Sequence, residues 1–311
     1  MSANAYDHKS EFTVGETMSI RFQSTDIHNV LKTSNYEPSC DVVYALFLEP
    51  SDVKDKRMSI AESLIDSAVR YFQPSPTMIH CELIVPPNVD EKTNKTQFAT
   101  YLGRKAAWQT DKEDGFGYYL KEKANQWRAV PIFAPNAANR IRSEADKEDG
   151  VEYSLARYIT SAYPMRMFAG LVSSGRRQPA HCATLIARIM NNALVEQHLS
   201  QVAAWYGPST LYHEVCQKAA VSAMRMASQS SYISQTVENN IDSILRKPMT
   251  PENVADIGDT GCMDAMRALT MRVTDALVVN DTAAQRITQQ QLATALLRWV
   301  ILRDISDQTK K

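Results

Sequence analysis

The sequence predicts an α+β protein, with an antiparallel sheet in its first half and helices through most of its second. Two observations carry that prediction. Between residues 41 and 133, short β-rich apolar runs recur, each closed by prolines or a turn-forming stretch. Beyond residue 208, nearly every segment repeats its apolar residues at spacings of three and four, the period of a helix with one buried face.

The elements follow in order. Residues 1–35 are polar and mixed, with no sustained period, and read as an N-terminal arm. The run DVVYALFL, Asp41 to Leu48, lies between Pro38 and Pro50 and reads as a buried strand. Over Met58 to Phe72, Ile60, Leu64, Ile65, Ala68, Val69 and Phe72 share one helical face, stopped by Gln73-Pro74-Ser75-Pro76. A second strand spans Thr77 to Val85, with His80 at its centre and Pro86-Pro87 after it. Gln97 to Tyr101, Ala106 to Thr110 and Trp127 to Phe133 supply further strands, with DKEDGFG as a loop between two of them. Helical patterning returns over 150–173 and again over 180–197, after the loop Gly175 to Pro179. Past the break Trp205-Tyr206-Gly207-Pro208, helices are expected over 209–231, 234–246, 262–279 and 283–305. In the last of these Leu292, Ala295, Leu296, Trp299, Val300 and Arg303 line one face, which must dock on its own domain or on a partner.

Composition narrows the function classes. The 311 residues are 44% hydrophobic and 22% charged, enough apolar material for a real core. Lys and Arg total 34 against 35 Asp and Glu, so no global field draws in nucleic acid or an anionic membrane. The opening MSANAYDHKSEF has no secretory pattern, and no apolar run reaches membrane-spanning length, so a soluble, intracellular protein is expected. Five dispersed cysteines without CxxC spacing read as free thiols of a reducing compartment, most of them core residues. No phosphate-binding GxxxxGK[ST] loop or GxGxxG turn is present, and His198 and His213 have no second ligand at helical metal-binding spacing. Neither cofactor nor metal is expected.

One pair of residues carries chemistry. A cysteine is a nucleophile only as thiolate, and a helix N-terminus and a nearby imidazole both favour that form. Cys182 stands in the first turn of a helix anchored by Leu185, Ile186, Ile189, Met190 and Leu194, where backbone N–H groups can also hold an oxyanion. His80, fixed in a strand, is the matching base. Alternation places Met78, His80, Glu82 and Ile84 on one face and Cys81 on the other, in the core. Glu82 is thus a candidate to orient His80, with Gln97 or Thr100 on the next strand as alternatives. His181 is expected to cap the helix or face solvent, and Arg176 and Arg177 to be solvated, with an anionic substrate group as their alternative partner.

The order of DVVYALFL strand, helix, IHCELIV strand, further strands and HCATLIARIM helix resembles the circularly permuted branch of the NlpC-type papain-like cysteine hydrolases, in which the histidine strand precedes the cysteine helix. WYGPSTLYHEV is similar to the proline-containing segment that follows the cysteine helix in that family. The resemblance covers 36–216 and implies a papain-like domain there, leaving 217–311 as a helical C-terminal extension. It also implies peptidase, amidase or acyltransferase chemistry on a peptide, amide or acyl substrate. Because the family includes proteins of large DNA viruses, the alternative is a catalytically silent scaffold, such as a minor capsid protein of a virion. Its arm and C-terminal helices would then clamp other protein subunits.

Overall fold

The computed structural model describes residues 40–50, 67, 71–85, 97–102, 105–109, 126–161, 178–194, 198–226, 234–247 and 251–309. The expected arm, most of the helix expected at 58–72, and Arg176 and Arg177 lie outside the described residues.

The protein is α+β. Strands β1 (Cys40–Leu48), β2 (His80–Val85), β3 (Gln97–Leu102), β4 (Lys105–Gln109) and β5 (Trp127–Pro135) form one antiparallel sheet in the order β4-β3-β2-β1-β5. Strand β1, flanked by β2 and β5, is apolar apart from Asp41, and Val43 to Leu48 are all buried. Register sets the rows: Leu48 stands between His80 and Trp127, and Phe47 between Cys81 and Arg128.

Helix α1 (Ala137–Glu148) follows β5 at once, a helix that the sequence reading did not expect. Its only large apolar buried residue is Ile141, flanked by Ala137 and Ala145 one turn either side, so the periodic signal is faint. The short α2 (Leu155–Thr160) is capped by Ser154, whose hydroxyl accepts from Arg157 N–H at 3.3 Å. Helix α3 (Cys182–Ala193) is buried on almost every side, the behaviour of a helix that lies within the core.

Four long helices complete the core: α4 (Pro208–Met226), α5 (Gln235–Arg246), α6 (Pro251–Val278) and α7 (Thr282–Thr309). Expected to start at 262, α6 begins at Pro251 and breaks at Gly258, whose φ of 68° suits glycine alone. Between α6 and α7 Asn280 turns left-handed, and Asp281 Oδ1 accepts from both Ala283 and Ala284 N–H at 3.0 Å.

Residues 37–311 form a single compact unit. The expected boundary at 216 falls within α4, and the helices beyond it are not a separate extension: α7 packs on β5, with Leu292, Ala295, Leu296 and Trp299 buried there or among neighbouring helices. The apolar face of the last helix thus docks on its own domain. A polar hub secures the junction. Glu49, just past β1, accepts from Arg128 of β5 and, at 3.3 Å each, from Arg286 and Gln290 of α7. Arg128 also donates to Tyr212 of α4 at 3.0 Å, and the Tyr212 hydroxyl donates to Gln289 of α7 at 2.7 Å. Tyr44 of β1 meets Thr270 of α6 at 3.0 Å. Among the described residues, no helix is long and apolar enough to cross a membrane.

Candidate active site

Cys182 is the first residue of α3, and His80 the first of β2. The sequence reading put His80 mid-strand; in fact the run Thr77 to Ile79 leads into the strand without joining it. The start of the helix therefore abuts the start of the strand, and thiol and imidazole interact. Both approaches are held by backbone pairing. Ala180, two residues before the thiol, exchanges hydrogen bonds with Glu152 O at 3.0 Å and Ser154 N–H at 2.8 Å. Ile79 N–H donates to Leu48 O at 2.8 Å.

A second clamp comes from the Gly207-Pro208-Ser209 segment. The Ser209 hydroxyl accepts from Met78 N–H at 2.8 Å and donates to the Gln73 side chain, which in turn accepts from Ser209 N–H at 3.2 Å. Gly207 lets these chains meet: a Cβ there would lie 3.3 Å from Ser161 Oγ and 3.4 Å from Gln73 Nε2. Ser209→Ala strands the buried Met78 N–H and is expected to cost about 1–3 kcal/mol, read as a lower urea midpoint at unchanged slope. A midpoint unchanged by the substitution would show that the clamp is not needed.

Glu82 Oε1 lies 3.1 Å from His80 Nε2, with the carboxylate buried and the imidazole side chain 21% exposed. The ring of Trp127 stands edge-on to His80 at 6.1 Å. Of the alternatives to Glu82, Gln97 pairs with Val85, five residues and about 17 Å along the strand from His80. Thr100 follows Ala99, the partner of Leu83, which puts it beside Glu82; its side chain is outside the described residues.

The electrostatics of the pair run in opposite directions. The Cys182 thiol is held well below the ordinary thiol value. A hydrogen bond from Cys81 is the largest cause; burial opposes it, and the His80 charge, then hydrogen bonding with His181 and His80, push the same way as Cys81. His80 is raised well above its usual value: burial, the largest influence, works against this, but the Cys182 charge and hydrogen bonds to Cys182 and Glu82 outweigh it. A lowered thiol beside a raised imidazole is the pattern that favours a thiolate–imidazolium pair.

Two neighbours depart from expectation. Cys81 is in the core, but its thiol also reaches Cys182, because alternation does not separate side chains where the helix meets the strand's end. His181 neither caps the helix nor faces solvent. It occupies the cap position in an extended conformation, makes no side-chain cap bond and is fully buried, its ring edge-on to Tyr158 at 5.8 Å. It lies close enough to Cys182 to help lower the thiol's pKa, although neither ring nitrogen makes a hydrogen bond of ordinary geometry. Nothing in the sequence signalled this: the burial of His181 follows from the extended backbone before the helix, which spacing does not show. Among the described residues, no group of three or more His, Cys, Asp or Glu is arranged to hold a metal ion.

No protein-family model, curated protein or solved structure matches the chain.

Proposed function

We propose that the protein is a papain-like cysteine hydrolase acting on an amide, ester or thioester carbonyl, with Cys182 as nucleophile, His80 as base and acid, and Glu82 orienting His80. The observation that carries this reading is that the packing of α3 on β2 brings Cys182, at the helix start, to the start of the strand, where His80 Nε2 lies 3.1 Å from the buried Glu82 carboxylate, with the thiol lowered and the imidazole raised. Cys182 Sγ attacks the carbonyl carbon. The oxyanion that forms is held by backbone N–H groups of the first turn of α3, where no side chain caps the helix. With Glu82 on Nε2, Nδ1 of His80 is the atom that gives its proton to the leaving group. The same nitrogen then takes a proton from water, or from an acceptor alcohol or amine, which attacks the acyl-cysteine and frees the thiolate.

A small activated ester tests this without knowledge of the natural substrate. With p-nitrophenyl acetate, a burst of about one equivalent of p-nitrophenolate is expected, followed by turnover, with acetyl found transiently on Cys182. Cys182→Ala should abolish the burst. A wild-type protein acetylated at Cys182 no faster than at Cys216 would refute the hydrolase.

The second reading, a catalytically silent scaffold such as a minor capsid component, draws on one observation: Cys182 is only 4% exposed. An architectural protein tolerates a closed site, and it predicts the refuting result of the same experiment.

A further inference from the structure

The chain enters the Cys182 helix through a short strap. Helix ends fray, and His181 gives α3 no side-chain cap bond, so Cys182, its first residue, has to be held from outside the helix. Two ties do so. Glu148 ends α1, the chain turns at Gly150 with φ 78°, and Tyr153 then pairs with Ala180. The other tie comes from α3 itself. Arg188 turns its side chain back toward the start of the helix and donates from Nη1 and Nη2 to Gln178 O, at 3.2 Å each. Its Nη1 also lies 3.5 Å from Glu148 Oε2, and both residues are buried, 4% and 2% exposed.

We infer that Arg188 is a positioning residue for Cys182: by gripping the Gln178 carbonyl, with Glu148 holding its guanidinium in place, it fixes the approach to α3 so that the thiol meets His80. The inference rests on the reading of Cys182 and His80 as a catalytic pair. Stability does not account for the Arg188–Glu148 ion pair. Buried charges stabilise a fold only where good geometry and further hydrogen bonds offset their desolvation. Here the two meet at 3.5 Å, and neither Glu148 oxygen makes a hydrogen bond among the described residues. Two apolar side chains of similar volume would fill the same space between α1 and α3 without burying charge. They could not hold one carbonyl with two donors, which a guanidinium does from a fixed plane.

The position of the thiol matters because Cys182 and His80 stand on different elements, α3 and β2. A displacement of about 1 Å between reacting groups costs on the order of 100-fold in rate. His80 is set by the pairing of β2 with β1 and by Glu82. On the other side Gln178 and Pro179 are exposed, and Pro179 has no N–H with which to pair. Without Arg188, Ala180 alone would hold the strap among the described hydrogen bonds.

The test is the pH profile of Cys182 alkylation by iodoacetamide, read beside urea unfolding of the same full-length proteins. In the double variant Arg188→Met, Glu148→Leu the buried pair gives way to apolar side chains, so the urea midpoint should be no lower than in wild type. At pH 6, relative to each protein's own high-pH plateau, Cys182 should nonetheless react about 10-fold more slowly than in wild type, because the thiol no longer meets His80 in one geometry. Adding His80→Ala to that background should then slow the reaction less than it does in wild type. Arg188→Lys keeps a cation for Glu148 but not the paired donors, and should shift the profile the same way by a smaller factor. A profile unmoved in both variants overturns the inference. So does one moved only in the double variant and together with a lower urea midpoint, since the pair then stabilises the fold rather than placing the thiol. Wild-type Cys182 that reacts as an ordinary thiol, with no dependence on His80, is a different failure: it removes the catalytic pair, and the inference with it.

Discussion

Replacing His80 with alanine is expected to slow alkylation of Cys182 by iodoacetamide on the order of 100-fold at pH 6, relative to the same protein's plateau rate at high pH. The acid limb of the rate profile should move up toward the ordinary thiol value, about 8.5. The sign follows from the shift: a lowered thiol stays ionised as pH falls below that value and loses reactivity only as pH passes through its own depressed pKa. Of the causes, the Cys81 hydrogen bond is the largest but is set against burial, the second. His80 acts twice, by charge and by hydrogen bond, and its loss leaves those first two opposed. A thiol at its ordinary value is about 0.3% ionised at pH 6. Because each rate is taken relative to its own plateau, the intrinsic nucleophilicity of the thiolate cancels, and the ionised fraction alone sets the factor. Normalising to the plateau removes any change in access caused by the smaller side chain. Glu82→Gln keeps an acceptor for Nε2 without the charge and should move the limb a smaller distance the same way. A profile with its inflection near 8.5 in wild type, unmoved by His80→Ala, would rule out the ion pair.

The pairing of Cys182 with His80 was legible because each sits in a short element with an unambiguous local pattern. HCATLIARIM is helical by spacing and IHCELIV is a strand by composition, whereas Cys262, the other thiol at an expected helix start, has no strand histidine matched to it in the sequence reading. Glu82 followed from alternation along the same strand, and the 3.1 Å contact with His80 agrees. Alternation failed one residue away. It assigns Cys81 to the opposite face, and Cys81 does enter the core, yet the first residues of a strand can be met from their end as well as from a face. His181, expected to cap the helix or face solvent, is extended and fully buried instead, so it enters the core next to Cys182. Helix α1 was missed because burial there rests on two alanines and one isoleucine.

The larger correction concerns the C-terminal helices, whose period was visible but whose target was not: periodicity shows that a face is buried without showing against what. A chain ending at residue 233 keeps every strand, the Cys182 helix and all of α4, and is nevertheless expected not to fold. It loses Thr270 from Tyr44, Gln289 from Tyr212, and Arg286 and Gln290 from Glu49, and it uncovers apolar surface that Leu269, Val273, Leu292 and Leu296 now bury. Glu49 and Arg128 would keep each other, but Glu49 would lose its α7 partners. The expected result is a chain with no cooperative urea transition that binds a hydrophobic dye. In the full-length protein, Leu296→Ala is the milder form of the same test. Leu296 is buried in the shared core, so the truncation should cost about 2–5 kcal/mol, and a two-state transition should report that loss for the sheet and the helices together. If the shortened chain melts cooperatively and Cys182 keeps its reactivity, the helices beyond α4 are a separable addition and the active site is built without them.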